Sequence, residues 1–222
     1  MNGLNSEAFA LFGQHILWSD MIGNILGLAA LALGWRRSLW TWPVQFLSGL
    51  ILFGAFFGHL TGSAGKQAVV MTVAMYGWWR WNRDRGRSRD GQITPRFATW
   101  YERAAMAGAV ALGTVAVALL FKAYPTLSWD PWPDAYIFVG TVVAMYAQAR
   151  GMVEFWIAWL LVDLVGVPLT FANGYAFSGF VYVIYGALVL WGMRDWWLRS
   201  RSGPQPTVEL PGAPASEGVS TQ

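Results

Sequence analysis

Seven apolar stretches fill most of this chain, at residues 17–34, 39–58, 65–82, 101–121, 133–149, 153–172 and 175–197. As helices rising about 1.5 Å per residue, they reach roughly 25–35 Å, the range of lengths that spans a hydrocarbon core about 30 Å thick. Hydrophobic residues at 55% against 12% charged exclude an ordinary soluble domain of this length. The expectation is an all-α integral membrane protein with seven transmembrane helices, whose ends can shift by about four residues.

Charge sets the orientation. With the N-terminus outside, all thirteen arginines (Arg36, Arg37, Arg80, Arg83, Arg85, Arg87, Arg89, Arg96, Arg103, Arg150, Arg194, Arg199 and Arg201) fall on inner loops or the tail. The outer side then carries only Lys66 and Lys122. This positive-inside bias puts the C-terminus in the cytoplasm and agrees with a count of seven spans, since six or eight would move some arginines outside. A multi-pass protein of the cytoplasmic (inner) membrane follows, with an external segment at 1–16. A basic cytoplasmic loop lies at 83–100, and a disordered cytoplasmic tail rich in Pro, Gly and Ser at 203–222. Residues 1–16 lack a basic n-region, and Glu7, Gln14 and His15 interrupt their apolar pattern, so the first span is expected to be retained. Attraction to anionic headgroups accounts for the net charge of +3 without nucleic acid.

The stretches repeat. Tyr76-Gly-Trp-Trp-Arg-Trp81 returns 115 residues later as Trp191-Gly-Met-Arg-Asp-Trp196, and about the same offset relates Asp20 to Asp134, Trp40 to Trp156 and Gly77 to Gly192. Spans 1, 2 and 3 thus pair with spans 5, 6 and 7. Three crossings reverse the chain, so one further crossing is needed before the second triplet can start from the same side. The plan is 3+1+3, with residues 17–82 as one three-helix repeat, 101–121 as a linker helix and 133–197 as the second repeat. Parallel repeats about an axis along the membrane normal leave a substrate path between them.

Other classes lack their parts. There is no cysteine, and His15 and His59 are the only histidines, without HExxH, GxSxG or a Walker A motif, so neither an enzyme nor an ATP-driven pump is expected. A retinal photoreceptor needs a lysine inside the bundle, and both lysines sit at span ends. No cofactor is expected, and a homo-oligomer stays open.

Trp40-Thr-Trp42-Pro43, the Tyr76–Trp81 block, Trp156-Ile-Ala-Trp159-Leu-Leu-Val-Asp163 and the Tyr182–Trp196 segment, in that order, resemble the PnuC family of vitamin transporters over roughly residues 17–198. The resemblance implies a SWEET-like fold and uptake of a small-molecule vitamin by facilitated diffusion, with an intracellular kinase trapping the product. Ser19–Asn24, Trp35–Trp40 and the preference for Arg over Lys are similar to the riboflavin-transporting branch. Riboflavin is therefore the first expected substrate and nicotinamide riboside or thiamine the alternative. A SWEET-type sugar transporter is the nearest rival, but Trp42-Pro-Val-Gln45 lacks the adjacent Pro-Gln of PQ-loop proteins.

Candidate substrate residues follow from helix faces. Trp156, Trp159 and Asp163 share one face of span 6, where indoles suit stacking on a flat heterocycle. Trp156 equally fits an interfacial belt. Asp163 lies about 15 Å into its span with no mid-span Lys or Arg to pair with, which makes it a functional candidate. A neutral acid bonded to Asn24 or a Tyr hydroxyl is the alternative. Gln45, below Trp42 on span 2, and Gln148, at the inner end of span 5, each offer a donor and an acceptor. Tyr76 and Trp79 share a face of span 3, and Tyr182 and Tyr185 lie one turn apart on span 7. Asp20 and Asp134 are expected to cap helix N-termini, Gly23 and Gly27 to let helices approach closely, and Pro168 to kink span 6.

Overall fold

A computed structural model describes residues 7–11, 14–56, 61–86, 92–128, 130–172 and 176–201. Side chains before Trp18, and those of residues 19–20, 55–56, 61–64, 169–172, 176–180 and 182, are not described. The expected tail at 203–222 therefore lies outside the described residues.

Seven long helices follow one another: α1 (Trp18–Trp35), α2 (Thr41–Phe56), α3 (Thr61–Arg85), α4 (Trp100–Ala123), α5 (Pro131–Ala149), α6 (Phe155–Ala172) and α7 (Ala176–Arg201). They fall on the seven apolar stretches. The clearest departures are that α3 begins four residues early and that α3 and α7 run on to Arg85 and Arg201, because straight-chain Arg favours helix once a helix is under way. Before α1, an antiparallel hairpin joins β1 (Glu7–Leu11) to β2 (Gln14–Leu17), with Leu11 opposite Gln14.

The helices close into a ring. α1 packs on α2, α2 on α3, α3 on α5, α5 on α6, α6 on α7, and α7 returns to α1, while α4 packs on the outside of α5. The burial pattern differs from that of a soluble protein, although the interior keeps an apolar core that includes Trp42, Trp81 and Trp196. Thr41, Ser48, Gln148 and Asp163 are buried, whereas Leu112 is 75% exposed, Leu164 70% and Trp191 65%. Contiguous apolar surface on this scale marks contact with lipid. By length and apolarity together, α4 stands alone among the described helices as a full membrane crosser, and little of it is buried in the protein. A capping box of Thr99 and Glu102 starts it.

Two indoles lock the ring in matching ways. Trp42 of α2 lies against Gly77 of α3, and Trp156 of α6 against Gly192 of α7, so closely that a Cβ at either glycine would fall on the indole. Trp42 then meets Trp81 edge-on at 5.2 Å, as Trp156 meets Trp196 at 6.0 Å. The tryptophan that corresponds to Trp156 in packing is thus Trp42, not Trp40, which is 69% exposed. Across the two seams, Trp81 Nε1 donates to the Gln148 carbonyl at 3.2 Å and Trp196 Nε1 to the Trp35 carbonyl at 3.0 Å.

Main-chain pairing and ions join the loops at the same end. Arg96 N donates to the Gly151 carbonyl and Val153 N to the Arg96 carbonyl, both at 2.9 Å. Arg96 grips Glu102 with two bonds at 2.7 and 2.8 Å, and Arg150 reaches Glu102 at 3.1 Å. The hydrogen bond to Glu102 raises the pKa of Arg96 above its ordinary value. Arg103 and the Ala98 N–H both donate to Glu154. Asp134 does not cap α5. Asp130 holds the N-cap position, and Asp134, in the first turn, accepts from Ser128 and lies 4.0 Å from Lys66. The Asp20 side chain lies outside the described residues. Pro168 sits inside α6, which continues through it to Ala172.

Candidate functional site

Inside the ring is a polar cavity of about 150 Å³. Asn24 and Gly27 of α1, Thr41 and Gln45 of α2, Gln148 of α5, Trp159 and Asp163 of α6 and Tyr185 of α7 line it. A second chamber of about 330 Å³ shares Asn24, Gly27, Gln45 and Tyr185 and extends to Ser48, Gln67 and Thr141. Part of this wall is already satisfied internally. Thr41 Oγ1 donates to the Ala30 carbonyl at 2.6 Å, Ser48 Oγ to the Gly23 carbonyl at 3.0 Å and the Tyr185 hydroxyl to the Asn24 carbonyl at 3.2 Å.

Two atoms are not. Trp159 Nε1 and Asp163 Oδ2 are buried without a hydrogen-bond partner, and they come from residues one turn apart on the same face of α6. Unpaired buried polar groups are costly, and these two belong to residues that line one cavity, so a ligand group that reaches both would have to accept from one and donate to the other. A hydroxyl does both.

The residues singled out from sequence divide accordingly. Gln45, Gln148, Trp159 and Asp163 meet at the cavity. Trp42 and Trp156 are 1% and 0% exposed and serve the glycine contacts, away from it. Tyr76 stacks on Tyr146 at the α3/α5 seam, with centroids 6.0 Å apart and planes 10° apart. Trp79 faces outward, 57% exposed, beneath the Arg83 guanidinium. The side chain of Tyr182 lies outside the described residues, and Tyr185, one turn on, lines the cavity. Thr41 is a wall residue with no mark in the sequence, and Asn24, expected only as a partner of Asp163, lines the wall as well. A polar side chain inside an apolar run was the available signal for Asn24, whereas Thr41 at a span end carried none.

A larger hollow of about 600 Å³ lies outside the ring between α4, α5 and α6, lined by apolar groups such as Met106, Val110, Val143 and Leu161. It offers few polar contacts. Among the described residues no three His, Cys, Asp or Glu side chains gather as a metal site.

Apolar helices that enclose a polar cavity suit a multi-pass membrane transporter, and the family match assigns that class. The family described as "Nicotinamide mononucleotide transporter" matches residues 17–198, and the chain belongs to that family. It is 80% identical over 215 residues to the riboflavin/roseoflavin transporter RibM of Streptomyces davaonensis, covering 97% of this chain and all of that one. It is 24% identical to the nicotinamide riboside transporter PnuC of Escherichia coli, over 83% of this chain and 87% of the relative. The crystal structure of the vitamin B3 transporter PnuC has the same fold, with a TM-score of 0.66 and 15% identity over 83% of each chain. These relatives are named as transporters and not as enzymes, and the family places the chain in the inner membrane.

Proposed function

We propose that the chain carries riboflavin across the cytoplasmic membrane by facilitated diffusion, and that phosphorylation inside the cell by a separate kinase retains the product. The unpartnered pair of Trp159 Nε1 and Asp163 Oδ2 on one cavity wall carries this reading. The Trp159 indole offers a face for the flat isoalloxazine, Asp163 accepts from ribityl hydroxyls, and Gln45 and Gln148 supply amides for the imide edge. The relative at 80% identity, a riboflavin/roseoflavin transporter, supports the substrate.

The working unit is two parallel triplets, α1–α3 and α5–α7, with α4 as the linker, in the SWEET-like 3+1+3 plan. The matched Trp–Gly contacts in α2/α3 and α6/α7 support it, as do the two indole bonds that cross the α3/α5 and α1/α7 seams. Rocking of one triplet against the other about the cavity would expose the site to each side in turn. The N-terminus is outside and the C-terminus cytoplasmic, on the distribution of arginine.

Nicotinamide riboside is the second reading, supported by the relative at 24% identity, and it would use the same wall. Titration of the purified protein with riboflavin, nicotinamide riboside and thiamine side by side separates them. Riboflavin is expected to bind tightest. Tighter binding of nicotinamide riboside would overturn the substrate assignment and leave the cavity in place.

A further inference from the structure

Gly34 and Gln148 stand 114 residues apart, at matching places near the ends of α1 and α5. Their side chains are as unlike as two can be, and the difference is spatially coupled. A Cβ on Gly34 would collide with Gln148 Nε2 and come within 3.3 Å of Thr41 Oγ1. The glycine is therefore a notch in α1 that receives the amide of the opposite helix. Gln148 is 6% exposed, and its own main-chain carbonyl is held by the Trp81 indole across the seam. Thr41 is turned to the Ala30 carbonyl by its 2.6 Å bond, which leaves the notch to the amide.

A glutamine side chain has three torsions and ordinarily samples many rotamers. Here its backbone is pinned by an indole and its end sits in a slot in the cavity wall. Gln45 lines the same cavity but is less buried, and among the described glycines none has Gln45 among its nearest contacts. The geometry points to Gly34 as a positioning residue that fixes the Gln148 amide, and to that fixed amide as the group that selects a cyclic imide edge. This inference rests on the riboflavin reading. An amide presents a donor and an acceptor side by side, and the adjacent C=O and N–H of an imide are its complement. A site built around such a pair rejects an analogue that lacks the N–H, because its own buried group is left unpaired.

The test compares the wild type, Gly34→Ala, Gln148→Ala and the double variant, each titrated with riboflavin and with N3-methylriboflavin, with a thermal melt of every protein. The wild type is expected to prefer riboflavin by roughly tenfold or more, the effect of one imide pairing. Gly34→Ala should reduce that preference to about twofold or less, chiefly by weakening riboflavin, as one lost pairing requires. Gln148→Ala should do the same. The double variant should match Gln148→Ala, and it should melt above Gly34→Ala, since truncating the amide removes the collision. Equal loss of both ligands in Gly34→Ala, or an undiminished preference, would overturn the positioning role while leaving the riboflavin reading intact. A wild type that binds neither flavin would overturn both.

Discussion

The Trp81 indole N–H donates to the main-chain carbonyl of Gln148, 3.2 Å away and 67 residues along the chain. The bond closes the α3/α5 seam, and its counterpart from Trp196 to Trp35 closes the α1/α7 seam at 3.0 Å. Trp81→Phe and Trp196→Phe keep an aromatic body and remove the donor. The Gln148 carbonyl keeps its bond from Gly151, so loss of the Trp81 bond itself should cost about 1 kcal/mol; both indoles are fully buried, so the cavity left by the smaller ring adds to the cost in each variant, and thermal melts in detergent should show a lowered midpoint. Unchanged melting of the double variant would remove these bonds from the account of the ring.

The glycine contacts make a sharper contrast. Gly77→Ala and Gly192→Ala force a methyl group into the rings of Trp42 and Trp156 and should each cost about 1–3 kcal/mol or abolish folding. Gly54→Ala and Gly186→Ala meet nothing within 4 Å and should melt like the wild type or slightly above it.

On the cavity wall, Trp159→Ala removes an aromatic surface whose stacking should contribute about 1 kcal/mol or more to binding. Asp163→Ala should weaken uptake strongly without removing the protein from the membrane, while Asp163→Asn, which keeps an acceptor oxygen, should retain more affinity. Ligand titration of the folded variants checks this. Wild-type affinity in both alanine variants would make the two residues structural only.

Orientation is open to reporter fusions. A fluorescent protein at Gln222 should fold and emit, and a reporter that works only outside the membrane should be silent there, on the positive-inside distribution. The opposite pair of results would invert the topology.

Apolar run length is local information, and it located all seven helices to within about four residues. The helix face through Trp159 and Asp163 was also legible, since residues one turn apart on a helix project together. What Trp156 does was not. Its partner, Gly192, is 36 residues away, and a belt residue, a stacking residue and a packing residue look alike until that glycine is set against it. Trp79 was misplaced for a related reason: it shares a helix face with Tyr76, but the α3/α5 seam takes up Tyr76 and leaves Trp79 outside. Thr41 is a wall residue through the packing of α2 against α1, which no spacing within one helix encodes, whereas Tyr185 belongs to the tyrosine pair legible on span 7.

Proteoliposomes containing this protein alone test the carrier mechanism most directly. Labelled riboflavin should equilibrate across the bilayer and never exceed the external level, with or without a proton or sodium gradient. Enclosing a flavin kinase and ATP should then drive net accumulation of the phosphorylated product. Accumulation of free riboflavin above the external level under an ion gradient, without any kinase, would contradict facilitated diffusion and turn attention to Asp163 as a coupling group.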